Sequence, residues 1–144
     1  MSRQILAQES DKHALAELRV SSMQESLKAI GRFDPIRARE RFFDSFSPGN
    51  TWKIERSGEI LGFYTLEEKV DHFWVRHLYI HPKHQNLGLG GDIIERIKDK
   101  SLETNLPVRL GALIGSRSND FYQAHGFVLT HEGEWDNYYE FSAF

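Results

Sequence analysis

This chain of 144 residues contains no cysteine. That excludes disulfides, thiolate metal ligands and a cysteine nucleophile. No apolar run approaches the roughly 20 residues needed to cross a bilayer. The opening residues, Met1-Ser2-Arg3-Gln4-Ile5, lack the apolar core of a secretory signal. A soluble, cytoplasmic protein is therefore expected. Excess positive charge is missing too. The net charge is −3 and the isoelectric point about 6.2, so no general affinity for a nucleic-acid backbone is expected. A Gly-x-Ser-x-Gly nucleophile elbow is also absent. The hydrophobic share is 40%, with ten Phe, five Tyr and three Trp, which is enough for a core. The length predicts one domain, residues 1–144.

The residues that carry most information run from Leu78 to Gly91, LYIHPKHQNLGLGG. They read as a strand stopped by Pro82, a short turn, and a glycine-rich loop opening into a helix. Such a helix start offers free backbone N–H groups and the positive end of the helix dipole to a phosphate. Glycine lets a ligand approach the backbone closely. A Walker loop requires Lys-Ser/Thr after its last glycine, but Gly91-Asp92 follows Gly90. The dinucleotide fingerprint requires a third glycine where Ile93 stands, near the start of a βαβ unit.

Along the rest of the chain, residues 4–8 predict a strand. A helix follows from a cap at Ser10-Asp11 to about Ile30, with Leu15, Leu18 and Met23 near helical spacing and Gly31 as its stop. Asp34-Pro35 opens a second helix with Ile36, Phe42 and Phe43 as apolar positions. Arg32, Arg37, Arg39 and Arg41 make that region basic, either as a solvated face or to meet an acidic part of a ligand. A three-strand meander is expected next, at 51–56, 59–66 and 73–80, with a hairpin turn at Ser57-Gly58 and a polar turn over 67–72. A helix from Gly88 to about Glu103 buries Leu89, Ile93, Ile94 and Ile97. A strand at 108–114, a short helix at 119–125 and a last strand at 134–141 complete the order βααβββαβαβ, which is mixed α/β.

Gln85-x-x-Gly88-x-Gly90, preceded by Leu78-x-Ile80-x-Pro82, resembles the acetyl-CoA signature of the GNAT superfamily of N-acetyltransferases. Phe121-Tyr122-x-x-x-Gly126-Phe127 resembles that family's later motif. The resemblance implies a mostly antiparallel, twisted central sheet flanked by helices. It implies direct transfer of an acetyl group from acetyl-CoA to a primary amine in a ternary complex. The pyrophosphate would be held by the Gln85 loop, through Asn86, Leu87, Gly88, Leu89, Gly90 and Gly91. The pantetheine arm would add beside the strand at Leu78, Tyr79 and Ile80, which splays from the next strand in the family. Tyr122 would be the general acid. A phenol near pKa 10 stays protonated at neutral pH and can donate.

The sequence departs from the family pattern twice. Many members carry a glutamate where Trp74 stands, so the base is open: His72, His77, or Glu67 and Glu68 through water. Many carry an asparagine where Gly115 stands, and Asn119 is the nearby candidate for a CoA contact. His81 and His84 lack a third ligand, so no metal is expected. The missing glutamate keeps open an acyl-CoA-binding module without turnover. A small-molecule amine is expected as acceptor, with a protein N-terminus or lysine as the alternative. Neither a nucleic acid nor a membrane is expected as a partner. A homodimer through the apolar stretch 135–144 is possible.

Overall fold

Residues 2–142 are described by the structure, a computed structural model. The elements are β1 (Arg3–Leu6), α1 (Lys12–Ala29), α2 (Pro35–Ser45), β2 (Thr51–Arg56), β3 (Glu59–Glu68), β4 (Phe73–Ile80), α3 (Leu89–Thr104), β5 (Val108–Leu113), α4 (Ser118–Ala124), β6 (Val128–Glu132) and β7 (Asp136–Phe141). The strands pair in the order β1-β2-β3-β4-β5-β7-β6. The β1/β2, β2/β3, β5/β7 and β6/β7 pairs are antiparallel, and β4/β5 is parallel. This is the mixed α/β, mostly antiparallel sheet with flanking helices that the resemblance implies.

The chain divides into two compact units, one of Met1–Thr65 with His77–Leu89, the other of Leu66–Arg76 with Gly90–Phe144. In the first unit, Ser57 and Gly58 both take positive φ, 51° and 80°, as the tight hairpin between β2 and β3 requires. Asp34 caps α2, its carboxylate accepting from Arg37 N–H at 3.1 Å. The core joins Ala7, Leu15, Ala16, Leu18, Phe42 and Phe63. Ile36 is exposed, whereas Ala38 and Phe42, one turn apart, are the positions α2 buries. Met23 is only half-buried, and α1 buries Arg19 and Val20 beside Leu15 and Leu18. The Arg19 guanidinium donates to the Ala38 carbonyl and lies 3.4 Å from the Tyr79 hydroxyl. Gly62 sits where β3 meets the end of β4: a Cβ there would fall 2.7 Å from both the Tyr79 carbonyl oxygen and Ile80 Cδ1.

In the second unit, α3 buries Ile93, Ile94 and Ile97, and β5 buries Val108, Leu110 and Ala112. Asn105 takes φ 56° at the end of α3. The element order departs from expectation at one place. β6 stands between α4 and β7, so two strands close the chain where one was expected. All five β6 residues are exposed. An edge strand with neither face buried carries no alternation of apolar and polar side chains, so its sequence, VLTHE, shows none. A bulge between Leu129 and His131 further breaks its period. The stretch 135–144 considered for dimerisation ends outside the described residues.

Candidate active site

β4 ends in a short 3-10 turn, Pro82–His84, that turns the chain toward α3. The His81 ring accepts from Lys83 N–H at 3.1 Å, and the His81 backbone N–H donates to Leu61 O at 2.8 Å. Burial and the neighbouring His84 hold the His81 pKa below the ordinary imidazole value. The His84 ring lies 2.9 Å from Glu59, and that hydrogen bond is the main cause of a lowered Glu59 pKa. The Ile80 carbonyl accepts from Ser22 Oγ at 3.1 Å and from the Gln85 amide at 3.2 Å. Gln85 is thus a brace of the turn, tied to the strand it leaves.

Asn86 and Gly88 then take φ of 66° and 81°. Left-handed residues set into a turn aim successive N–H groups to one side, which makes an anion-binding hollow. Gln85 through Gly88 are exposed, while Leu89 is buried and anchors the first turn of α3. Gly90 is needed for another reason. A Cβ there would lie 3.1 Å from the Phe121 ring, so α4 packs directly on the start of α3. Gly91 lies beside His125 less tightly, where a Cβ would make an ordinary contact with the ring at 3.5 Å.

The second motif has a clear physical meaning. Phe127 N–H donates to Tyr122 O at 3.0 Å and Gly126 N–H to Gln123 O at 3.1 Å, with Gly126 at φ 88°. That is a Schellman ending of α4. Its customary apolar contact is the Phe127 ring on the Tyr122 ring, 5.7 Å between centroids. Tyr122 is buried and also packs at 5.3 Å on Phe121 and 6.3 Å on Tyr139. Asn119, one turn earlier, bonds to Leu113, Ser116, Asn137 and Tyr139.

The parallel ladder between β4 and β5 covers three pairs, Phe73↔Val108, Trp74↔Arg109 and Val75↔Leu110. From Gly111↔Tyr138 to Leu113↔Asp136, β5 continues beside β7. A groove of about 330 Å³ lies at this ladder, lined by Trp74, Arg109, Tyr138, His131 and Glu140 among others. The Trp74 and Tyr138 rings stand 6.5 Å apart, and Arg109 pairs with Glu140 at 2.8 Å.

The expected residues fall into separate groups. Leu78, Tyr79, Ile80 and Gln85 through Leu89 belong to the first unit, with His77. Gly90, Gly91, Asn119, Tyr122 and His72 belong to the second. His77 is buried with its ring against Phe42, Phe63 and Tyr79, and Ser45 Oγ lies 3.4 Å from its Nε2. His72 lies in the β3–β4 turn, 2.6 Å from the Asp71 carboxylate, which lowers the Asp71 pKa. Glu67 is gripped by Arg76 through two bonds, of 2.6 and 2.9 Å, and by Lys69 at 3.1 Å. The Arg76 fork holds its pKa below the ordinary carboxylate value, which makes it a weaker base. Glu67 and Arg76 lie nine residues apart across a hairpin, so strand pairing was the available signal for this fork. Among the described residues no cluster suited to a metal ion occurs, and no helix is long and apolar enough to cross a membrane.

Residues 47–129 match the family model of the acetyltransferase (GNAT) domain. The chain belongs to the GNAT acetyltransferase family. The enzyme's fold is shared with the PaiA N-acetyltransferase of Thermoplasma acidophilum, solved in complex with coenzyme A, at 14% identity over 99% of both chains and a TM-score of 0.78. A GNAT-family acetyltransferase of Staphylococcus aureus Mu50 superposes with a TM-score of 0.77 at 17% identity over 99% of each chain. The ribosomal-protein-S18-alanine N-acetyltransferase of Escherichia coli does so with a TM-score of 0.72 at 12% identity, over 97% of this chain and 91% of that one. Among curated proteins no significant match is found.

Proposed function

We propose that this acyltransferase, acting as one domain over residues 1–144, moves the acetyl group of acetyl-CoA to a primary amine by direct attack in a ternary complex. The observation that carries the proposal is the backbone of the Gln85 loop, left-handed at Asn86 and Gly88, feeding α3 inside the segment that matches the family. The N–H groups of Asn86, Leu87, Gly88, Leu89, Gly90 and Gly91 would hold the pyrophosphate. The backbone of Leu78, Tyr79 and Ile80 would pair with the pantetheine arm, as an added strand does. Bound acetyl-CoA supplies the activated acetyl group and a thiolate leaving group. Tyr122 donates a proton or hydrogen bond to that sulfur.

The acceptor ammonium loses its proton to water in this reading. Trp74 carries no base, Arg76 weakens Glu67, and His77 is buried among Phe42, Phe63 and Tyr79. The acceptor class, small molecule or protein, is set by the experiment. Release of free CoA is followed with acetyl-CoA and a panel of aliphatic diamines, free amino acids and peptides with alanine or lysine amines. Turnover of one class by wild type, lowered about 10²-fold in Tyr122→Phe, is the expected result. Binding of acetyl-CoA with no CoA release from any class would sink the transfer reading.

A further inference from the structure

We propose that Asn119 is a positioning residue that fixes α4, and through it Tyr122, for proton donation. The inference rests on the reading of Tyr122 as the proton donor. Asn119 was expected to touch CoA, but the hydrogen bonds leave it nothing to offer. A primary amide has two N–H donors and a carbonyl with two lone pairs. Asn119 Nδ2 lies 2.9 Å from Leu113 O, 2.9 Å from Ser116 O and 3.2 Å from Ser116 Oγ. Three acceptors therefore share two hydrogens. Asn119 Oδ1 accepts from Asn137 Nδ2 and from the Tyr139 hydroxyl, each at 2.9 Å. Both lone pairs are used. The reversed amide would set its oxygen against two carbonyls, so the network fixes the orientation.

What the bonds join is more telling than their number. They tie the end of β5 at Leu113, the loop at Ser116 and β7 at Asn137 and Tyr139 to the first turn of α4. The Tyr139 hydroxyl also accepts from Gln123 Nε2 at 3.2 Å. One buried phenol thus clips positions 119 and 123, which are neighbours on one helix face and bracket Tyr122. α4 has seven residues, too few to be stable alone, so its place comes from such contacts. Its far end is held by Gly126 and Phe127, its near end by Asn119. Loss of the near clamp frees the turn that carries the Tyr122 ring, and small displacements of a proton donor are costly.

A double-mutant cycle tests this, using acetyl-CoA with hydroxylamine, a small nucleophile unprotonated at neutral pH that needs no base. Asn119→Ala should lower kcat about 10-fold and leave the KM for acetyl-CoA within about two-fold. In a Tyr122→Phe background the same change should cost under about two-fold, because the clamp acts through the hydroxyl that is gone. Tyr139→Phe keeps the ring and removes only the clip, and should show a smaller loss with the same dependence on Tyr122. It decides the matter if Asn119→Ala does not fold. Equal losses in both backgrounds, or a KM for acetyl-CoA that rises while kcat holds, would make Asn119 a direct cofactor contact and overturn the inference alone. A Tyr122→Phe enzyme as active as wild type, or a wild type without turnover, overturns the donor reading and the clamp with it.

Discussion

Changing Gly88 to Ala tests the loop between β4 and α3 apart from everything around it. Gly88 is at φ 81°, and no atom beyond its two chain neighbours lies within 4 Å of where its Cβ would be. The substitution therefore adds no clash and only makes a left-handed backbone expensive. That cost is about 1–2 kcal/mol for an L-residue. The loop is exposed, so without ligand it can relax to a right-handed conformation and the fold loses little. Bound pyrophosphate would require the left-handed form again, and the cost then appears in binding. At 1.4 kcal/mol per factor of ten, the Kd for CoA should rise about 5- to 30-fold. The melting temperature of the free protein should move by less than about 2 °C. Calorimetric titration with CoA, paired with a thermal melt, reads both quantities. Asn86→Gly is the control: Asn86 already sits at φ 66°, glycine is at ease there, and affinity should hold or improve. An unchanged Kd in Gly88→Ala would mean that this backbone conformation plays no part in binding CoA. Gly90 is a poorer probe, because a side chain there also displaces Phe121.

Gly62→Ala should destabilise the protein by about 1–3 kcal/mol in urea unfolding, because the new methyl meets backbone at 2.7 Å; wild-type stability would show that β4 can give way. Gly126→Ala should cost about 1–2 kcal/mol through backbone strain alone, since its methyl would meet nothing closer than 3.8 Å; a variant as stable as wild type in the same measurement would refute the Schellman ending as a source of stability. Glu67 has a folded pKa lowered chiefly by the Arg76 fork, so its contribution is full above the unfolded value near 4.3 and is lost as pH falls through the lower folded value. The stability difference between wild type and Glu67→Gln should therefore be constant near neutrality and shrink on acidification; a difference that grows toward low pH would contradict the fork.

The parts of the fold that were legible in the sequence are those where local chemistry and burial agree. Ser57-Gly58 names a hairpin turn, Asp34-Pro35 names a helix start, and the Ile93, Ile94, Ile97 stripe names a buried helix face. β6 was not legible because all five of its residues are exposed, so it has no buried face to set an apolar pattern. Ile36 misled for the converse reason. It is apolar, but α2 turns Ala38 and Phe42 inward, and Ile36 lies off that line. Arg19 was overlooked because a charged side chain is seldom read as core, yet the Ala38 carbonyl receives its guanidinium.

The two motifs that marked the site differ in what they can prove. In the Phe121–Phe127 motif, Gly126 and Phe127 are accounted for by the ending of α4, and Phe121 by its packing against Gly90. Any short helix that must stop there and pack there would favour those residues, whatever its chemistry. A phenylalanine at 122 would keep the ring contacts with Phe127 and Tyr139, so Tyr122→Phe changes the hydroxyl and little of the packing. The same subtraction applied to the loop removes Gln85, which braces Ile80, and Gly90, which admits Phe121. Gly88 is what remains: exposed, left-handed and without a packing partner. Gly88→Ala and Tyr122→Phe are therefore the substitutions that test binding and transfer with the least change to the packing around them.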